Sequence, residues 1–230
     1  MKRKVRFFRQ HSLETCGISC MLMVLDAFGK VLYPTEKQER KLYGIYRCRA
    51  FKGTLASAIA DCLSANGLNV EVYHSSRRFL DNQNGYYPEP LYQAMLEEYT
   101  KTIERIRDRV FVETGCRIAT DWYRERLDEG KLLIVQCLVP GGADGMHDES
   151  LYWILLYGYE EDEFLVCDPL SHKIRLTGSE AERYTHTPAG SICVAVGESS
   201  GNKEGADERN MRAISGRLPA KIRRKGGRKS

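Results

Sequence analysis

The sequence predicts an α+β domain, with a helical half first and an antiparallel sheet half after it. Three observations carry this. The stretch from Cys16 to Phe28 is almost entirely apolar and is followed by Gly29, the pattern of a buried helix with a left-handed stop. Leu132 to Val139 is a short apolar run bounded by polar residues and Pro140, which suits a strand covered on both faces. Tyr152–Tyr159 and Glu163–Asp168 flank the acidic turn Glu160-Glu161-Asp162 and read as a hairpin. Helical patterns come first and strand patterns last, the order of a segregated rather than an alternating architecture.

Each element follows from a local signal. Thr15 stands where a cap for the first helix belongs. A second helical stretch runs from Thr35 to about Tyr46. Gly53-Thr54 opens a third, with Thr54 as its cap, Leu55, Ala58, Ile59, Cys62 and Leu63 on one face, and Gly67 at its end. Leu68, Val70 and Val72 alternate with polar residues, as a half-buried strand does. A loop from Arg77 to Tyr87 leads into a long polar helix, about Pro90 to Val110, with Leu91, Met95, Tyr99, Ile103 and Ile106 as a narrow apolar stripe. We read residues 79–115 as a helical insertion. Thr120 to Glu129 is another helix, stopped by Gly130. Pro140 to Asp148 is a glycine-rich loop, and Lys173–Thr177 and Ile192–Val196 complete the sheet. The expected domain spans residues 1–198.

Residues 199–230 carry ten Lys and Arg against three Asp and Glu, a net +7, whereas the whole chain is +4. The remainder is therefore acidic. This tail has too few large apolar residues to offset the entropy of ordering, so it reads as disordered, with an acidic molecule as its expected partner. The folded part has no basic stripe, which argues against nucleic acid as the ligand. The chain has 42% hydrophobic residues but no run of eighteen, so no membrane span is expected. The basic start lacks a small-residue cleavage site, which makes the expected location cytoplasmic. The eight cysteines include no CxxC pair and no histidine at zinc-ligand spacing, so neither a metal nor another cofactor is expected.

The chemistry concentrates at Gln10-His11-Ser12-Leu13-Glu14-Thr15-Cys16-Gly17. A thiol at a helix N-terminus is biased toward thiolate, the nucleophilic form. An amide six residues upstream, Gln10, can donate to the oxyanion of an attacked carbonyl.

These motifs together resemble the papain-like cysteine peptidases, and more closely the bacteriocin-processing peptidases that cut leader peptides after a double glycine. The resemblance rests on Gln10, Cys16-Gly17 and Gly29; on Gly53-Thr54 leading to Gly67-Leu68; on Leu127 to Lys131; and on Trp153-Ile154-Leu155-Leu156-Tyr157-Gly158 followed by Val166-Cys167-Asp168-Pro169. It covers about Val5 to Val196, apart from the insertion. It implies a papain-like fold, with Cys16 as nucleophile, Gln10 as oxyanion donor and Asp168 as orienter. It implies a peptide or protein substrate. It also exposes a departure. Tyr152 stands where the family has its general-base histidine, and a phenol with a pKa near 10 is a poor base at neutral pH. His11, His147 and His172 are the possible replacements, while His74 and His186 read as surface residues. Two functions follow. The first is a stand-alone cysteine peptidase, or a thiol acyltransferase on the same scaffold. The second is a pseudo-peptidase that binds a peptide or partner protein in the old cleft.

Overall fold

The computed structural model describes residues 3–77, 87–139, 150–187 and 190–199, excluding the side chains of residues 139 and 150. Six helices and seven strands lie within them: α1 Cys16–Ala27, α2 Glu36–Tyr46, α3 Ala56–Ala65, β1 Leu68–His74, α4 Glu89–Ile106, β2 Val110–Thr114, α5 Thr120–Asp128, β3 Leu132–Val139, β4 Ser150–Glu160, β5 Glu163–Cys167, β6 Lys173–Thr177, α6 Gly178–Thr185 and β7 Ile192–Glu198. The strands form one sheet in the order β2-β1-β7-β3-β4-β5-β6. Every pairing is antiparallel except β1 with β2.

The expected α+β class is found, with one rearrangement. The helical half contributes two strands to the sheet. Residues 132–135 of β3 and 192–196 of β7 are all buried. Successive side chains point to opposite faces, so helices must cover both faces at the centre of the sheet. One group comprises α1, packed on β4 and β3, and α3, packed on β1 and β7, with α2 and α4 against α3; α5 and α6 pack together on β3.

Positive φ at Gly29 (69°), Gly67 (74°) and Gly130 (79°) ends α1, α3 and α5, as the sequence suggested. Elsewhere the local signals mislead. The polar helix stops at Ile106, and Val110–Thr114 forms an edge strand parallel to β1. Its buried stripe begins at Tyr92 rather than Leu91. Leu55, not Thr54, is the cap residue of α3. Thr15 makes no side-chain cap bond to α1. Ala119 precedes α5 without a capping side chain, and Glu182 of α6 accepts the Thr120 N–H at 2.8 Å instead. Helix α6 was missed altogether, although its start carries a legible capping box between Thr177 and Glu180.

Among the described residues no helix is long and apolar enough to cross a membrane. The glycine-rich loop up to Asp148 and the basic tail from residue 200 onward lie outside the described residues, as does much of the loop before Tyr87.

Candidate active site

Cys16 is the first residue of α1, reached through a single 3-10 turn at Leu13–Thr15. Its neighbour is a glycine in a tight place. A Cβ on Gly17 would lie 3.0 Å from both Thr54 Cβ and Trp153 Cδ1, tighter than most real Cβ contacts. The absent side chain is what lets the start of α1 lie against β4 and the entrance to α3. Trp153 is fixed there by its indole N–H, which donates to the Thr54 carbonyl at 2.8 Å.

The segment before Cys16 is pinned to the end of the hairpin. The Gln10 N–H donates to the Pro169 carbonyl at 3.0 Å, which brings Gln10 beside Asp168, 158 residues later in the chain. From β4, the Tyr152 hydroxyl donates to Gln10 Oε1 at 2.6 Å and also reaches the Asp168 carboxylate. Asp168 is itself held by its own turn: Oδ1 accepts the Leu170 N–H at 2.9 Å and Oδ2 the Ser171 hydroxyl at 2.7 Å. Gln10, Tyr152 and Asp168 therefore form one polar cluster. Cys16 adjoins it, close enough for the Asp168 charge to act on the thiol.

Gln10 is only 8% exposed, yet its Nε2 has no partner among the described residues. Exchanging the two ends of the amide, which occupy the same volume, lets Nε2 donate to the Tyr152 oxygen. The hydroxyl proton then passes to Asp168, and no buried donor is orphaned. In either arrangement the Tyr152 hydroxyl occupies the Gln10 amide.

The electrostatics oppose ionisation. Burial pushes the Cys16 thiol up to about 12, with the Asp168 carboxylate adding to it; the peptide groups of Trp153, Gly17 and Cys16 itself pull the other way but do not prevail. Burial also raises the Tyr152 phenol well above its ordinary value, followed by the nearby Asp168 charge. The helix N-terminus that predicted a thiolate is outweighed by desolvation. At neutral pH this pair is a thiol facing a phenol. A narrow cavity of about 50 Å³ opens beside Cys16, lined by Phe51, Thr54, Gln136 and Trp153 among others, room for little more than one water.

No described histidine turns to the thiol. The His11 ring donates from Nδ1 to Glu39 Oε2 at 2.6 Å, and His172 is exposed, its backbone carbonyl accepting the Asp168 N–H at 3.0 Å. His147 lies outside the described residues. His186 is exposed as expected, but His74 is a correction: it is 1% exposed and hydrogen-bonded to the Tyr99 hydroxyl at 2.6 Å. Burial lowers its pKa to about 4. The alternation of β1 ends at Val72, and Val72, Tyr73 and His74 are all buried, further into the core than the sequence pattern indicated.

The sequence reading missed Glu39. This carboxylate, 1% exposed, projects from α2 and accepts the His11 N–H (3.0 Å), the His11 Nδ1–H, the Thr15 hydroxyl and the Ser19 hydroxyl (3.3 Å). It holds the approach to Cys16 against α2. Nothing local betrays it, because Glu36-Lys37-Gln38-Glu39-Arg40-Lys41 reads as a solvated run. All eight cysteines are free thiols, and among the described residues no cluster could hold a metal ion.

No family model matches the sequence, and no curated protein matches it either. Solved structures match it at low identity. One is a double-glycine motif protease from an AMS/PCAT transporter in complex with the leader peptide, 15% identical, with a TM-score of 0.47 over 86% of this chain and 94% of that one. A second is the peptidase domain of Streptococcus ComA, a bifunctional ABC transporter of a quorum-sensing pathway: 11% identity, TM-score 0.43, 85% of this chain and 100% of that one. A third is a C39-like peptidase from Bacillus anthracis: 11% identity, TM-score 0.44, 86% and 97%.

Proposed function

We propose that this chain is a peptidase-like protein that binds a peptide at the Cys16 cleft and cuts it slowly or not at all. The observation that carries the reading is the Tyr152 hydroxyl bonded to Gln10, in the position where the motif resemblance calls for a histidine base.

The chemistry explains why this matters. A cysteine peptidase needs a base that takes the thiol proton near pH 7 and returns it to the leaving amine. Tyr152 can do neither with its pKa raised, and Cys16 holds its own proton. Gln10 and Asp168 keep the places of oxyanion donor and orienter. Gln10 can still donate to a peptide carbonyl, once that carbonyl displaces the Tyr152 hydroxyl. Binding without turnover is the outcome. The peptide class comes from the motif resemblance.

The experiment is a Tyr152→His variant. Its Cys16 should alkylate with iodoacetamide at pH 7 about a hundredfold faster, the lower end of general-base effects. A peptide containing Gly-Gly should protect Cys16 in the wild type and remain intact by mass spectrometry. Rapid cleavage by the wild-type protein, abolished in Cys16→Ala, would overturn the reading; loss of that cleavage in His147→Ala would identify the base that replaces Tyr152.

A further inference from the structure

The N-terminal segment and the turn after α1 meet on one face. Arg3 donates to the Ala27 carbonyl at 3.3 Å and lies 4.0 Å from the centre of the Phe28 ring. Arg6 lies 3.5 Å from Asp26 and 4.3 Å from the centre of the Tyr33 ring. We propose that this face docks on an anionic membrane surface, with Leu32 and Tyr33 entering the interface and the cations around them meeting lipid phosphates. The site is separate from the Cys16 cleft and does not depend on the peptide-binding reading.

The apolar part is a projecting pair. Val31 turns inward and is 5% exposed, but Leu32 is 80% exposed and Tyr33 67%. Tyr33 is also held at a φ of 58°, a left-handed backbone that costs a tyrosine energy. Burial does not offset that cost, because the ring lies outside the core. An aliphatic side chain beside an aromatic one with a polar tip suits the boundary between lipid headgroups and acyl chains.

The surroundings are positive. The carboxylates that touch the segment are already taken, Asp26 by Arg6 and Glu198 by Arg3. Glu36, just past Pro34, pairs with Arg40. Lys4 and Lys30 form no ion pair among the described residues. Lys173 gives its ammonium to the Val5 carbonyl, 2.7 Å away. Glu198 is the last residue of β7, so the stretch 199–230, net +7, joins the body beside Arg3. Each cation near a surface of acidic lipids adds attraction, and a polybasic stretch adds more. The exposed leucine decides the kind of partner. An acidic peptide or a nucleic acid would meet the cations but offers no hydrocarbon layer for Leu32, whereas a bilayer offers both. Docking also leaves the cleft open. Helix α1 has 12 residues, so Cys16 lies about 18 Å away at the other end, at 1.5 Å per residue.

The test uses the full chain and sedimentation with vesicles of phosphatidylcholine, alone or mixed with phosphatidylglycerol. Mixed vesicles should carry the protein down, less so as salt rises, and phosphatidylcholine alone should leave it in solution. Lys4→Glu combined with Lys30→Glu should weaken binding by about tenfold or more, from the attraction that each cation contributes at an anionic surface. Leu32→Ser combined with Tyr33→Gly keeps every charge and suits the left-handed backbone; it should also weaken binding, by about tenfold, through lost apolar insertion. Tyr33→Trp should show a blue shift of fluorescence on mixed vesicles that the wild type, with Trp122 and Trp153, does not show. Unchanged binding of the Leu32→Ser, Tyr33→Gly variant would overturn the proposal, because the basic stretch 199–230 would then account for all of the attraction. Binding to soluble polyglutamate as tight as to vesicles, without a shift in Tyr33→Trp, would overturn it in favour of an acidic protein.

Discussion

Two polar clusters flank the start of α1, and they differ in how completely they are satisfied. On one side, Glu39 sits buried with His11, Thr15 and Ser19 all donating to it. On the other, the Tyr152 hydroxyl links Gln10 and Asp168, and in either orientation one end of the Gln10 amide is left without a partner among the described residues. The first cluster has the completeness of a structural clamp. The second is incomplete at that end. Buried polar groups that serve only the fold are normally satisfied, so an orphan in a cleft marks where a ligand would complete the set.

The sharpest way to break this comparison is Glu39→Ala. It strips a common acceptor from four donors in a buried setting and should cost about 3 kcal/mol, in the range for charge-assisted bonds with orphaned partners. Urea denaturation reads it directly. A loss below the scatter of surface substitutions would mean that the clamp is not structural. Glu39→Gln should cost less, because it retains one acceptor oxygen.

Acid should act almost as strongly, and away from both clusters. His74 has its pKa lowered from 6.5 to about 4 by burial. Between those values the unfolded chain binds a proton that the folded chain refuses, so unfolding is favoured as pH falls through this window. The stability contributed by neutral His74 is complete above about pH 6.5 and is lost by up to about 3 kcal/mol on the way to pH 4. Denaturation midpoints for wild type and His74→Gln across that range should converge as pH falls. Parallel curves would assign the acid sensitivity elsewhere.

Smaller still is the effect of Tyr152→Phe. It deletes the hydroxyl that engages Gln10 and should change stability by about 1 kcal/mol or less, since the bond joins a group already short of partners. If the second cluster is a binding site, the same change frees the Gln10 amide and should leave peptide protection of Cys16 intact or improved. A large destabilisation would make it a structural cluster like the first. The thiol offers the faintest signal: alkylation of Cys16 in the folded protein at pH 8 should be at least about a hundredfold slower than in urea, given a pKa near 12. Equal rates would show that the cleft is open and the thiol ionisable.

How much of this was legible depends on the range of the interaction that decides each feature. The glycine stops, the central strand β3 and the hairpin were all read correctly because each depends on a few adjacent residues. Helix α6 is also local, with its Thr177–Glu180 capping box written in adjacent residues. Strand β2 was not recoverable: Val110–Thr114 follows a polar helix, and only pairing with β1 makes it a strand. Cys16 and Gln10 stood out by spacing, and Tyr152 by its place before Trp153. Glu39 and His74 did not, since charged and polar residues in polar surroundings look alike whether they are exposed or enclosed.

The sequence alone determined the α+β order and the helix that starts at Cys16, because these follow from hydrophobic period and glycine placement. Tertiary structure alone decided that the Cys16 thiol stays protonated, that Tyr152 engages Gln10, and that Glu39 is buried under four donors. Those outcomes depend on desolvation and on contacts between residues far apart in the chain, and neither quantity has a local signature in the sequence.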